Sequence, residues 1–203
     1  NLKSEGVGTV GGQIFLTGDV MQDAAMHYAE KSCGDDLPRL ARGEEYVLCT
    51  LHRAENTDNR QRLSAIVDAI NQISIKENVV VPLHPRTQDK LAECDIKLNA
   101  LVVDPVGYLE MIALLKQCRC VMTDSGGLQK ESYFFGKPCI TLRDETEWVE
   151  LISSGCNVLV GANKEKILAA YKYFSSVTVD VDTNLYGGGS AANNIVDILA
   201  STA

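Results

Sequence analysis

Short apolar runs alternate with amphipathic segments along most of this sequence. The runs are continuous and rich in β-branched residues, a pattern typical of strands covered on both faces of a parallel sheet. One amphipathic segment, 59–75, repeats its apolar residues at three- and four-residue spacing and is predicted to be a helix. The predicted strands are 46–51, 79–83, 100–103, 120–123, 139–142 and 157–160.

This alternation of strands and helices predicts an α/β fold, in which right-handed crossovers build a Rossmann-like, doubly wound parallel sheet between about residues 20 and 180. Segment 33–45, rich in Asp, Gly and charge, is predicted to be a surface loop. The two ends differ from the middle. Residues 1–16 hold one short apolar run, and three glycines follow Tyr186 before a final helix predicted at 190–200. Both ends are interpreted as connections to something else.

The composition narrows the functional classes. The 203 residues are 45% hydrophobic and 23% charged, an ordinary mixture for one globular domain. No apolar run approaches eighteen residues and the first twenty do not form a signal peptide, so we expect a cytoplasmic protein without a membrane partner. The net charge of −8, without a basic stripe, argues against nucleic acid as a partner.

The cysteines are an odd number and lack the paired CxxC spacing of a zinc site. We interpret them as reduced thiols of the core and expect no metal. The seven are Cys33, Cys49, Cys94, Cys118, Cys120, Cys139 and Cys156.

The segment TDSGGLQKE (123–131) is the most informative. It follows a predicted strand and opens a helix, so Ser125 is predicted to be the N-cap and Gly126-Gly127 the first turn. Free amides, the helix dipole and the missing Cβ atoms favour a bound phosphate. Glu131, two helical turns away, would face the hydroxyl groups of the ligand. The alternative is a glycine-rich turn with a surface glutamate.

Three further polar segments follow predicted strands at the edge where open α/β sheets bind ligands. His52 with Arg53 and His84 with Arg86 suit phosphate, although single histidines at strand ends also serve structural roles. The third segment, 143–150, is dense in charge and contains Trp148, which either joins a site or packs into the core.

Six segments, in this order, resemble the C-terminal half of the non-hydrolysing UDP-N-acetylglucosamine 2-epimerases, which share the two-domain GT-B architecture of many glycosyltransferases. TDSGG followed by a glutamate in the same helix is the most specific of them. The segments are TLHRAEN (50–56), PLHPRT (82–87), PVGYLEMIALL (105–115), TDSGGLQKE (123–131), GKPCITLRDETE (136–147) and YGGGSAANNI (186–195).

The resemblance implies an isomerase that inverts C2 of a UDP-linked N-acetylhexosamine, from the gluco to the manno configuration. UDP leaves by anti elimination as a base removes the C2 proton, and then adds back after reprotonation on the other face. Neither a metal nor another cofactor is implied.

The resemblance also assigns residues to the UDP-sugar. Ser125, Gly126 and Gly127 match the positions that hold the diphosphate, and Glu131 matches the one that holds the ribose. His52, as the catalytic residue, and Arg143 match positions near the phosphates and the leaving group. His84 matches a histidine near the nucleotide and the neighbouring effector site, and Met111 replaces an aromatic residue near the uracil.

Another departure from the family pattern leaves the identity of the sugar open. The common run TERPE reads TEWVE at 146–150, which is similar to epimerases of UDP-diacetamido-uronic acids. Two further alternatives are the donor-binding domain of a nucleotide-sugar glycosyltransferase and a regulatory binding module without chemistry.

The resemblance implies one nucleotide-binding domain over 1–203, with 1–18 as an inter-domain connection and the helix at 190–203 packing on an N-terminal domain that this sequence lacks. Because the carboxylates thought to handle the C2 proton belong to that domain, we expect the chain alone to show little or no epimerisation. A homodimer is expected for the full-length enzyme.

Overall fold

The computed structural model describes residues 6–7, 13–32, 45–182 and 184–202. The chain divides into two compact units, one of residues 25–181 and one of residues 1–24 with 182–203. Each unit is described by itself. The assignment of 1–203 to one domain stays a prediction.

The larger unit is built on a parallel sheet. In the described part of the chain it has six strands in the order β3-β2-β1-β4-β5-β6, so the predicted Rossmann-like fold is confirmed. The sheet order reverses direction between the adjacent strands β1 and β4, where Thr50 pairs with Thr123. The strands are β1 Tyr46–Thr50, β2 Asn78–Pro82, β3 Leu101–Val103, β4 Cys120–Thr123, β5 Cys139–Thr141 and β6 Asn157–Leu159.

Helices follow or precede the strands as the alternation predicts. Within the described residues they are α1 Val20–Lys31, α2 Ala54–Thr57, α3 Arg60–Ile73, α4 Pro85–Glu93, α5 Tyr108–Gln117, α6 Gly126–Phe134, α7 Val149–Ser153, α8 Lys164–Phe174 and α9 Ala191–Thr202.

Two apolar clusters cover the two faces of the sheet, which explains why most strands read as continuous apolar runs. On one face, α3 and α8 contribute side chains such as Leu63 and Ile167. On the other, α5 contributes Leu114, whose carbonyl oxygen accepts a hydrogen bond of 2.8 Å from the Tyr46 hydroxyl. Burial raises the pKa of Tyr46. The clusters fix the strands whose carboxyl ends carry the candidate site.

Several predicted boundaries are wrong by one or two residues. Five of the six strands differ at one or both ends, and only 120–123 is reproduced. The predicted helix 59–75 is Arg60–Ile73, because the Asn59 side chain caps it by accepting from two backbone amides. The predicted helix 190–200 is Ala191–Thr202. Most of the predicted loop 33–45 lies outside the described residues.

Strand β3 corrects the expectation that every strand is covered on both faces. It lies at the edge of the sheet, and Val102 is 43% exposed. An edge strand of three residues can carry an apolar side chain in solvent, so continuous apolarity did not distinguish it from the central strands.

The cysteines within the described residues are free thiols, and all but Cys94 are buried. Burial raises the pKa of Cys118 and of Cys139 to about 12, so both remain protonated and packed at neutral pH. Cys33 lies outside the described residues.

In the smaller unit, two glycines allow a close approach of chain segments. Gly18 and Gly187 both have positive φ angles, and a Cβ added at Gly187 would lie 2.7 Å from the Cα of Gly18. The Asp23 carboxylate accepts hydrogen bonds from the amides of Ala191 and Ala192 at the start of α9. The predicted roles of 1–18 and of the terminal helix stay predictions.

No helix in the described ranges is long and apolar enough to cross a membrane.

Candidate functional site

The candidate site lies at the carboxyl ends of β1, β4 and β5, where the strand order reverses and open α/β sheets bind ligands. The hydroxyl groups of Thr50 and Thr123 lie 2.6 Å apart across the last β1–β4 pair. The Thr123 hydroxyl also accepts a hydrogen bond of 2.9 Å from the Ser125 amide. The turn that starts α6 is thus attached to the ends of both strands.

Ser125 is the N-cap of α6, as predicted. Its hydroxyl accepts a hydrogen bond of 3.4 Å from the Leu128 amide, and its backbone is extended. Gly126 and Gly127 form the first turn of this nine-residue helix. The amides of a first turn have no partner within the helix, so the geometry suits a bound anion.

Three polar side chains surround the open face of Gly126. A Cβ added at this position would meet them at ordinary contact distances, so the backbone is approachable without being crowded. The atoms are Nη2 of Arg53 at 3.7 Å, Oε2 of Glu147 at 3.8 Å and Nε1 of Trp148 at 3.8 Å.

Asp124, which the sequence analysis did not single out, organises the loop after β1. Its carboxylate is fully buried and accepts hydrogen bonds from the backbone amides of His52 and Arg53. The Asn56 amide group donates to the same carboxylate at 3.2 Å and to the Leu142 carbonyl at 2.9 Å. Asp124 therefore joins the loops that follow β1, β4 and β5. An acidic residue between a strand and a predicted cap was the available signal.

The same carboxylate orients the imidazole of His52. Nδ1 of His52 lies 3.3 Å from Oδ1 of Asp124, and the His52 side chain is 48% exposed. A carboxylate beside Nδ1 favours the tautomer with its hydrogen on that nitrogen, which leaves Nε2 as the ring atom that can contact a ligand.

The polar network continues from Asn56 into the loop after β5. Its Oδ1 accepts a hydrogen bond of 3.0 Å from Nε of Arg62. Arg62 in turn donates from Nη1 to Asp144 at 2.7 Å. This chain of contacts fixes the start of α3 against the residue that follows Arg143.

The loop 142–148 lies against the first turns of α6. Thr146 donates a hydrogen bond of 2.8 Å to Oε1 of the buried Gln129, and Trp148 donates from Nε1 to the Gly126 carbonyl at 2.9 Å. The Lys130 ammonium lies 4.4 Å from the centre of the Trp148 ring. Of the two alternatives for Trp148, the structure places it beside the glycine turn rather than in the core.

Arg143 lies in the same loop and is paired with Glu147. Its two terminal nitrogens donate to the two carboxylate oxygens of Glu147 at 2.8 and 3.0 Å. These bonds lower the pKa of Glu147 to about 2, so the pair is ionised at neutral pH. Arg143 is almost fully buried, whereas the Glu147 side chain is 56% exposed.

Glu131 is buried in the second half of α6, the helix that begins with the glycine turn. Burial raises its pKa, and a hydrogen bond from Tyr108 at the start of α5 lowers it in part. Burial and the neighbouring Glu131 raise the pKa of Tyr108 to about 12. Tyr108 was missed because the family resemblance pointed to Met111, one turn further along α5, and no local pattern distinguished the tyrosine.

The other two predicted residues take different places. His84 is the N-cap of α4, where its Nδ1 accepts a hydrogen bond of 3.2 Å from the Arg86 amide. It is exposed at the carboxyl end of β2. Met111 is partly buried against the apolar cluster on the α5 face of the sheet. Among the described residues, no hydrogen bond or ion pair joins either side chain to the glycine turn. In the described part of the chain, no group of three or more His, Cys, Asp or Glu side chains could hold a metal ion.

The sequence of this chain matches a known family and several known proteins. The family model described as UDP-N-acetylglucosamine 2-epimerase matches residues 1–200. The chain is 49% identical over 201 residues to the UDP-2,3-diacetamido-2,3-dideoxy-D-glucuronate 2-epimerase of Pseudomonas aeruginosa, covering 98% of this chain and 56% of that protein. It is 36% identical over 214 residues to the UDP-N-acetylglucosamine 2-epimerase of Methanococcus maripaludis, covering 98% and 57%.

A solved structure is also similar in fold to this chain. The Methanocaldococcus jannaschii UDP-GlcNAc 2-epimerase, crystallised in complex with UDP-GlcNAc and UDP, is 36% identical and superposes with a TM-score of 0.81, covering 98% of this chain and 58% of that one. The chain thus spans a little over half the length of the relatives that it matches.

Proposed function

Because this chain belongs to the UDP-N-acetylglucosamine 2-epimerase family, we propose that it is the UDP-binding half of an isomerase that inverts C2 of a UDP-linked 2-acetamido sugar. The observation that carries the proposal is the capped glycine turn at the start of α6, which lies at the switch point of the sheet beside Arg53 and beside Glu147, the partner of Arg143.

The diphosphate binds at this turn. Gly126 and Gly127 offer backbone amides at the positive end of the α6 dipole, and Ser125 offers a hydroxyl. Arg143 and Arg53 contribute charge nearby, since both approach Glu147, which lies beside Gly126. Donors of this kind stabilise a diphosphate and also the charge that develops on it when it leaves.

The nucleoside extends along α6 towards α5. The ribose hydroxyls donate to the carboxylate of Glu131, whose two oxygens can serve Tyr108 and the ribose together. The uracil lies near Met111 on α5. His84 lies at the same edge of the sheet and is assigned to the nucleotide by the family resemblance.

The chemistry is an elimination followed by an addition. A base removes the C2 proton, the C1–O bond breaks, and the bonding electrons leave with UDP, which gives an unsaturated 2-acetamido sugar. His52, whose Nδ1 lies beside Asp124, contacts the departing phosphate oxygen through Nε2 and donates a hydrogen bond or a proton there when both ring nitrogens carry a proton. Addition of UDP and return of a proton to the opposite face of C2 complete the inversion. Neither step requires a metal or another cofactor.

Two sugars are candidates. UDP-N-acetylglucosamine is supported by the family description and by the name of the Methanococcus maripaludis relative. A UDP-diacetamido-glucuronic acid is supported by the 49% identity to the Pseudomonas aeruginosa enzyme and by Trp148 beside the glycine turn, where the common family run has arginine.

The experiment uses the full-length protein that contains this chain, with each of the two sugars in deuterium oxide. We expect epimerisation with deuterium at C2 of the product from one of them. Transfer of the sugar to an acceptor without deuterium at C2 would indicate a glycosyltransferase. Tight UDP binding without turnover of either sugar would indicate a regulatory module.

The remaining assignments belong to the same proposal. The partner that completes the site is the N-terminal domain of the same polypeptide, because the chain covers 56–58% of its relatives. The homodimer and the cytoplasmic location stay predictions.

A further inference from the structure

Arg143 presents an unusual combination of burial and pairing. The residue is 4% exposed, and its Nε is buried without a hydrogen-bond partner among the described residues. Its two terminal nitrogens both donate to Glu147. A buried guanidinium without a counter-charge is strongly destabilising, so this arginine requires an anion when no ligand is bound.

Glu147 supplies that anion, and its carboxylate lies beside the glycine turn where the phosphate is proposed to bind. Its Oε2 lies 3.8 Å from the point where a Cβ on Gly126 would lie, and Arg53 also lowers its pKa. More than half of the Glu147 side chain is already exposed, so it can rotate into solvent without giving up buried contacts. A phosphate on the glycine turn would lie close to this carboxylate and repel it.

We propose that Glu147 competes with the phosphate of the ligand for Arg143, pairing with the guanidinium in the empty site and releasing it when the diphosphate binds. This inference rests on the proposed function and extends it to a residue that the family resemblance did not assign. The exchange keeps Arg143 neutralised in both states, lowers the affinity for the diphosphate and thereby assists release of the epimerised UDP-sugar.

The test is the UDP affinity of the full-length protein that contains this chain, measured by calorimetry for the wild type and for Glu147→Gln. Glutamine keeps the size of the side chain and removes its charge, so we expect UDP to bind about tenfold more tightly. Glu145→Gln is the matched control, because Glu145 carries the same charge in the same loop and acts on Arg143 only through space, without the hydrogen bonds that Glu147 accepts. We expect less than a twofold change for it.

A second pair of variants identifies the route of the effect. In an Arg143→Gln background, Glu147→Gln should raise the UDP affinity much less than in the wild type, since no Arg143 guanidinium remains to be released and only the direct repulsion between Glu147 and the phosphate is removed. An equal gain in that background, or weaker binding by Glu147→Gln in the wild type, would overturn the inference and leave the proposed function intact. Absence of UDP binding by the folded wild type would overturn both.

Discussion

At the residue scale, the space beside Gly126 separates a structural role from a binding role. The contacts that a Cβ would make at this position are 3.7 and 3.8 Å, which are ordinary distances, so Gly126→Ala fits the unliganded fold. The added methyl group would occupy the approach of the phosphate to the first-turn amides.

We therefore expect Gly126→Ala to melt no lower than the wild type, since alanine is the better helix former, and to bind UDP about 10 to 100 times more weakly. Thermal unfolding and calorimetry measure the two effects. Unchanged UDP affinity in a folded variant would mean that the diphosphate does not reach this turn.

Tyr108 gives a pH-dependent prediction at the same scale. If the ribose hydroxyls donate to the ionised form of Glu131, as proposed, UDP affinity should rise with pH through the raised pKa of this carboxyl and then level off. Tyr108→Phe removes the hydrogen bond that lowers this pKa, and the midpoint of the rise should move to higher pH.

The control ligand for that experiment is 2′-deoxy-UDP, which lacks one of the two ribose hydroxyls. If Tyr108 acts on ribose recognition, Tyr108→Phe should weaken UDP binding more than 2′-deoxy-UDP binding near the midpoint. An equal loss for the two ligands, or an unmoved midpoint, would contradict this role.

At the element scale, one buried carboxylate holds the loop after β1 to the turn after β4. The Asp124 carboxylate accepts hydrogen bonds from two backbone amides and from the Asn56 side chain. An asparagine at position 124 would place its own NH2 group against some of these N–H groups, so those hydrogen bonds would be lost.

We expect Asp124→Asn to lower the free energy of unfolding by about 2–4 kcal/mol, which denaturant titration measures. Asp58→Asn is the matched control. Asp58 is exposed and pairs with the exposed Arg86, so its loss should cost at most about 1 kcal/mol. Equal effects of the two variants would show that Asp124 does not organise the loops.

The same scale shows what the sequence could predict. The alternation of apolar runs indicated the sheet, and the pairing of Ser125 with two glycines indicated the cap of α6, because both signals are local in the chain. The contact of Asp124 with His52 spans 72 residues, and the pairing of Trp148 with Gly126 spans 22. Such contacts depend on which strands are neighbours, which local patterns do not determine. The boundaries of strands also depend on tertiary pairing, as β3 illustrates.

At the scale of the whole molecule, the proposal gives this chain the groups that bind UDP and stabilise its departure, and it assigns the base for the C2 proton to an N-terminal domain outside this chain. We expect the 203-residue chain alone to leave the C2 proton of UDP-N-acetylglucosamine in place. Proton NMR in deuterium oxide would follow it. Loss of the C2 signal at a rate near that of the full-length enzyme would contradict this division of labour.

The central claim is that a diphosphate binds the backbone of the first turn of α6. The most direct measurement is a crystal structure of the chain with UDP. The account predicts phosphate oxygens within hydrogen-bonding distance of the amide nitrogens of Gly126 and Gly127, with Glu131 on the ribose. UDP bound elsewhere, with this turn unoccupied, would contradict it.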